Sequence, residues 1–346
     1  MQGIPLEDRR HFGSMLEHCS QHEVMSRIPQ FSQTDVCHAE HYNSGEKDQL
    51  NVLVFNMERG VHLAELGDFL EYCPEIQPFD VILANELDDG CVRSGSRNTT
   101  KELAGRLGMD SVFGLEFIEL ANENDPKGFH GNAIFSRFPI RDAQIVRLPE
   151  EYNWYFDRQK RIGGRLGILA ELSLGSRQIG VGTIHLENRT DGGGRDQQLR
   201  FLLEAAERQF PKDMPVALGG DLNTNTFDGN DKAAIQKIAS SAELQRRCLE
   251  DVPEWENCLR TAESFGYTLV PDLPVPTRRK PLPQGGWLPL RLDWLLIRGM
   301  KAEVSRVVST RKEDCSFAPE GSALEKFQGE ELSDHNAVWA KCSITW

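Results

Sequence analysis

The sequence predicts an α/β chain in which two mixed β-sheets pack face to face with helices outside. Three observations carry this reading. Short apolar runs such as Leu50–Phe55 and Val216–Leu218 recur along the chain and suit buried strands. Between several of them lie stretches with apolar residues at helical spacing, as at Leu63, Leu66, Phe69 and Leu70. Others follow one another across short turns, so hairpins and crossovers must share the same sheets.

At 346 residues, with 39% hydrophobic and 27% charged, the chain can bury a large core without covalent staples. Its net charge of -14 argues against a generally basic nucleic-acid face and leaves room only for a local cationic groove. Eight scattered cysteines show no C-x-x-C, so neither a zinc pattern nor a disulfide framework is expected. Reduced thiols suit a cytoplasmic protein. Met1–Arg10 lacks the apolar core of a signal peptide, and no membrane span is expected. A monomer is the expected state.

Residues 1–48 are polar and rich in His, Gln and Glu, and they read as a peripheral arm with a short helix around Gly13–Ser26. His18, His22, His38 and His41 read as solvated side chains on that arm, not as a metal cluster. The ordered domain, 49–346, opens with the strand Leu50–Asn56, then a helix over Val61–Tyr72 and a strand over Phe79–Glu86. Thr99–Leu107 is a helix capped by Asn98 or Thr99 and stopped by Gly108. Strands follow at Ser111–Leu120, Asn132–Ser136 and Ile140–Leu148, and a hairpin joins Gly167–Leu174 to Gln178–His185.

Gly192–Gly194 reads as a flexible turn before a helix over Arg195–Gln209. After the strand Val216–Leu218 comes a short helix over Lys232–Ala239. The Pro-rich, basic stretch Val270–Pro289 reads as a long ordered loop. Strands at Leu292–Ile297, Glu303–Val308 and Asn336–Cys342 close the chain.

Polar residues collect at the ends of these strands: Asn56, Glu86, His185, Asp221, Asn223, Asp293, Asp334 and His335. Loops along one rim of a rigid sheet core are the usual place for a site. The densest stretch is Gly219-Gly-Asp221-Leu-Asn223. Its glycines let the backbone bend close to a ligand. Asp221 and Asn223, two residues apart, face the same side. An acid and an amide at a strand exit suit a hard cation and a phosphate.

The ordered set Asn56-x-Glu58, Glu86, Gly131-Asn-Ala-Ile-Phe-Ser136, Thr183-Ile-His185-Leu, Gly220-Asp-Leu-Asn223, Leu292-Asp293-Trp and Ser333-Asp-His335 resembles the endonuclease/exonuclease/phosphatase superfamily over about residues 50 to 346. The resemblance implies a four-layer α/β sandwich and Mg²⁺-dependent hydrolysis of a phosphodiester or phosphomonoester by in-line attack of water, with Mn²⁺ as a possible substitute. It implies that Glu86 holds the metal and that Asn56 helps hold the metal or the phosphate. Glu58 is a weaker second acid there, and Asp334 a further ligand. His335 would donate to a phosphoryl oxygen with Asp293 holding its ring, and Asn223 would place the phosphate. Either Asp221 or the Asp293–His335 pair could be the base.

His185 matches the phosphatase, sphingomyelinase, deadenylase and tyrosyl-DNA phosphodiesterase branches, where abasic-site endonucleases usually have Tyr. Arg195 in Arg195-Asp-Gln-Gln198 reads as a structural tie. The partner is a phosphate ester. Nucleic acid is an alternative through Arg278-Arg279-Lys280 and Trp287, read as one basic and aromatic patch. The remaining alternative is a non-catalytic binding protein on the same fold.

Overall fold

The computed structural model describes residues 1–40, 45–228, 231–282 and 285–346. In chain order the first elements are α1 (Leu6–Met15), α2 (Gln21–Met25), β1 (Thr34–Cys37), β2 (Gln49–Arg59), α3 (Leu63–Tyr72), β3 (Val81–Asp89), α4 (Thr99–Leu107) and β4 (Asp110–Glu119). Next come β5 (Phe129–Ser136), β6 (Ile140–Arg147), β7 (Arg161–Gly163), β8 (Leu166–Leu174), β9 (Arg177–His185), α5 (Gly192–Gln209) and β10 (Val216–Asp221). The last are α6 (Lys232–Ala239), α7 (Ala242–Arg246), α8 (Val252–Trp255), α9 (Asn257–Ser264), β11 (Thr268–Val270), β12 (Arg278–Pro281), β13 (Trp287–Leu290), β14 (Asp293–Arg298), β15 (Met300–Val308), α10 (Ala323–Lys326) and β16 (Ala337–Ile344).

The larger sheet runs β1-β4-β5-β3-β2-β16-β15, with β7 also on β4; the smaller runs β11-β14-β10-β9-β8-β6. Both are mixed, because β2–β3 and β9–β10 are parallel pairs among antiparallel neighbours. Val52, Val54, Leu83, Val112 and Ile134 of one sheet meet Ile168, Ala170, Val181, Ala217 and Leu295 of the other in a single buried cluster. Helix α3 buries Leu63, Leu66, Phe69 and Leu70 on the outer face of the larger sheet. Helix α5 does the same with Leu199, Leu202 and Leu203 on the smaller one. The result is a helix–sheet–sheet–helix sandwich, the architecture the sequence implies.

Three local readings differ. The stretch read as a peripheral arm supplies β1, which pairs with β4, and buries Ile4, Leu16, Val24, Ile28 and Phe31 in the core cluster of the larger sheet. Its helices are short, and α2 is fixed by a capping box between Ser20 and Glu23. His18 and His22 are exposed, and His38 Nδ1 lies 3.2 Å from Asp110 Oδ2; His41 lies outside the described residues. Gly192–Gly194 is no turn but the opening of α5. The Asp191 carboxylate accepts the N–H groups of Gly193 and Gly194 at 2.8 and 3.2 Å, satisfying donors a helix start leaves unpaired.

The stretch read as a loop, Val270–Pro289, holds the β12–β13 hairpin. Pro281 and Pro289 sit in this two-stranded ribbon, where a missing N–H is tolerated. Among the described residues no helix is long and apolar enough to cross a membrane, and all eight cysteines are free thiols.

Candidate active site

Strand register builds the site. Asp221 lies opposite His185 across the parallel β9–β10 pair and opposite Asp293 across the antiparallel β10–β14 pair. The three therefore form one row on the smaller sheet. On the larger sheet Asn56 lies opposite Asn85, after which the β2–β3 register slips. A second slip between Ala84 and Leu87 accompanies Glu86, whose φ of 55° is rare for a residue with a Cβ. Asn223 is also left-handed, at 47°. Such backbone persists only where the surroundings hold it. Gly220 has no alternative at its φ of 149°, since a Cβ there would lie 1.9 Å from the Ile184 carbonyl.

Asp221 is the hub. Its Oδ2 accepts from Asn56 Nδ2 at 3.1 Å and lies 3.6 Å from His335 Nε2 and 3.7 Å from His185 Nε2. Its Oδ1 accepts the Asn223 N–H at 2.9 Å, and Asn223 Nδ2 donates to the Leu186 carbonyl at 2.9 Å, tying two strand exits together. Asp293 Oδ2 takes the His335 Nδ1–H at 2.8 Å. Burial opposes the charge on His335, but Asp293, Asp221 and Asp334 overcome it and hold the imidazolium up to about 10. Ser333 and Thr310 brace the histidine's backbone, the first accepting its N–H and the second donating to its carbonyl.

The outer rim is carboxylate. Asn56 Nδ2 also reaches Glu86 Oε1 at 3.3 Å, Glu86 lies 3.9 Å from Arg59, and Glu58 Oε2 accepts the Asp334 N–H at 3.0 Å. Burial, then Asp334 and Glu86, pushes the Glu58 carboxyl up to about 7. Glu86 goes the other way: burial opposes its charge, and Arg59 with the imidazoles of His130, His185 and His335 holds it well below the usual range.

Carboxylates crowded enough to repel form an oxygen set that fits a hard divalent cation, with the Asn56 amide between them, its Oδ1 accepting the Glu58 N–H at 3.1 Å. Asp221, Asp293 and His335 also offer ligand atoms within 4.8 Å of one another. A protonated imidazole cannot bind metal, so the rim set of Glu86, Asn56, Glu58 and Asp334 fits better.

All nine predicted site residues thus lie in one connected cluster. The sequence reading missed what lies behind it. Carboxylates and imidazoles alternate inward from Asp221: His185 Nδ1 is 3.1 Å from Glu116 Oε2, His130 Nε2 is 3.9 Å from the same oxygen, and His130 Nδ1 is 2.9 Å from Asp88 Oδ1. Arg165 lies 3.3 Å from both Glu116 and Glu187 and 3.0 Å from both ring nitrogens of His185. Burial opposes the charge on Glu116 and on Asp88. His185 and Arg165 hold the first near 2, and Arg93 and His130 hold the second near 2.

Asn85 was also missed. It accepts the Asp221 N–H at 2.8 Å and donates to Asn132 Oδ1, Thr183 Oγ1 and the Ile184 carbonyl, pinning the two sheets together beneath the site. Its place beside Glu86 at a strand end was the available signal. Arg195 is buried on Glu256, Thr190 and Phe227, as a structural tie.

A two-sheet sandwich with acids, amides and two histidines gathered on one rim has the fold of a phosphoesterase or nuclease. Residues 49–335 match the Endonuclease/Exonuclease/phosphatase family, and the chain belongs to it. That family consists mostly of hydrolytic nucleases and phosphatases and is generally dependent on a divalent metal.

Among solved structures, the human Nocturnin catalytic domain with bound sulfate anion is 16% identical, with a TM-score of 0.52 over 92% of this chain and 98% of that one. An endonuclease/exonuclease/phosphatase family protein from Bacteroides thetaiotaomicron is 13% identical, with a TM-score of 0.51 over 90% and 96%. One from Bacteroides vulgatus is 12% identical, with a TM-score of 0.50 over 86% and 100%. At these identities the likeness is one of fold. No curated protein sequence matches the chain significantly.

Proposed function

We propose that this chain is a Mg²⁺-dependent hydrolase of phosphodiesters or phosphomonoesters that works by direct in-line attack of water. The observation that carries the reading is the setting of Asp221. Its carboxylate oxygen sits between two imidazoles and an amide, on a backbone fixed by Asn85. Glu86, Asn56, Glu58 and Asp334 would hold the metal. When bound, the metal neutralises charge building on the phosphoryl and leaving oxygens.

Asp293 takes the Nδ1–H of His335, which leaves Nε2–H aimed at the centre of the site. His335 is therefore the donor to a phosphoryl oxygen. Asp221 orients the attacking water and accepts its proton. His185, held at Nδ1 by Glu116, offers its Nε2 side to the same phosphate, and Asn223 places it. A preorganised donor of this kind contributes roughly 3 kcal/mol to a transition state.

Nucleic-acid cleavage draws less support, because the patch read from the sequence is divided. On β12, Arg278 and Lys280 face one side. Arg279 faces the other, where it pairs with Glu331 and shares its face with exposed Trp287. A non-catalytic role gains nothing from a site with every acid, amide and histidine in place.

The test is hydrolysis of bis-p-nitrophenyl phosphate and p-nitrophenyl phosphate with Mg²⁺, Mn²⁺ or EDTA, beside Asp221→Asn. Metal-dependent release that disappears in the variant is expected. Turnover that survives both EDTA and the substitution would overturn the mechanism.

A further inference from the structure

Beyond the rim, three cationic side chains lie on segments that flank the site's own strands. Arg278 opens β12, and its backbone bridges to His335 while its guanidinium pairs with Asp334. Two residues on, Lys280 faces the same side of the hairpin, opposite buried Leu288, with its amine 5.8 Å from the ring centre of Phe227. Phe227 lies four residues past Asn223, and Arg195 holds its carbonyl at 3.2 Å. Arg189 lies four residues past His185, against the Trp154 ring and 3.4 Å from Asp157.

Lys280, by contrast, has no carboxylate partner among the described residues. Burial, then Arg278 and Arg189, pushes its amine down to about 8. In a chain of net charge -14, a partly buried lysine without a carboxylate of its own, on the same hairpin face as Arg278 and beside an acidic site, calls for an anion.

We propose that Lys280, Arg278 and Arg189 form a second anion subsite, and that the substrate carries a further phosphoryl group there beside the one that is cleaved. This rests on the phosphoesterase reading above and narrows its substrate to esters with two phosphoryl groups. The second group belongs either to a small bisphosphate or to the neighbouring linkage of a strand. Hydrogen bonds from lysine and arginine to phosphate recognise both alike.

Calorimetric titration in EDTA tests the subsite without turnover. The probes are adenosine 3′,5′-bisphosphate, adenosine 5′-monophosphate and tetrathymidylate. The wild-type chain is expected to bind the bisphosphate or the tetranucleotide about tenfold more tightly than the monophosphate. Lys280→Gln should shrink that preference to about threefold or less, and Arg189→Gln should weaken it in the same direction. Arg279→Gln, on the opposite face, should leave it intact.

The probe that loses more in Lys280→Gln identifies the source of the second phosphate. Equal affinity for all three probes in the wild type, or a preference that survives Lys280→Gln, overturns the subsite. Turnover of bis-p-nitrophenyl phosphate is measured in parallel. A preference without turnover sinks the hydrolase reading, and turnover without a preference sinks only the subsite.

Discussion

The two halves of the site are built on opposite electrostatic plans. On the inner side, Glu116, Asp88 and Glu119 are each matched by Arg165, Arg93 or Arg161, with His185 and His130 between them. Every charge there has an opposite charge of the protein's own, so the region needs nothing from outside and serves to fix geometry. On the outer side, Glu58 lies against Asp334 and Glu86, with Arg59 and Arg278 at the margins, and is driven up to about 7. That half is left short of positive charge. On the function proposed above, a cation and a phosphate would complete it. The closed half holds the open half ready.

The comparison can be broken from its centre outward. Asp221→Asn removes the hub and should lower metal-dependent turnover by about a thousandfold or more, with an unchanged circular-dichroism spectrum. Glu86→Gln takes a charge from the open half alone. Mn²⁺ affinity, read by electron paramagnetic resonance, should fall by about a hundredfold. Thermal stability at neutral pH should fall as well, because Arg59 and the neighbouring imidazoles favour the Glu86 charge. Asn85→Ala strikes the joint between the halves. It leaves the Asp221 N–H unpaired in the core, so chemical denaturation should show a loss of about 3 kcal/mol together with slower turnover.

Acid separates the halves by sign. The Glu116 carboxyl moves from 4.5 when free to about 2 when folded, so its stabilisation is present above 4.5 and lost as pH falls toward 2. Unfolding curves of Glu116→Gln should therefore depend less on pH across that window than those of the wild type. The smallest effect is expected at Glu58, which is raised. Its carboxyl must lose a proton to bind metal, so Mn²⁺ affinity should climb as pH rises through about 7 and flatten in Glu58→Gln. A flat wild-type profile would remove Glu58 from the metal set.

The open half was legible in the sequence because its residues stand where apolar runs break off. Such runs located β2, β3, β9, β10 and β14, and the acids, amides and histidines that border them gather on one rim. The closed half was not legible. Glu116 sits inside β4 and His130 inside β5, where a polar residue reads as ordinary alternation. Their meeting with His185 on β9 depends on strand register and on how one sheet lies over the other, which no single-strand pattern encodes. The β12–β13 hairpin was hidden by its prolines, which argue against a strand unless it stands outside the main sheets. The glycines at 192–194 were misread because Asp191 supplies a cap strong enough to start a helix on residues that otherwise disfavour one.

One consequence concerns how the protein can be handled. A domain boundary drawn at residue 48 would discard β1, whose backbone covers Ser111–Gly114 of β4. A truncated chain would keep every residue proposed for catalysis and still present a bare strand of hydrogen-bonding groups to its neighbours, an invitation to stack chain on chain. Poor solubility of such a fragment would then come from lost edge protection, and restoring residues 1–48 would cure it without any change to the chemistry.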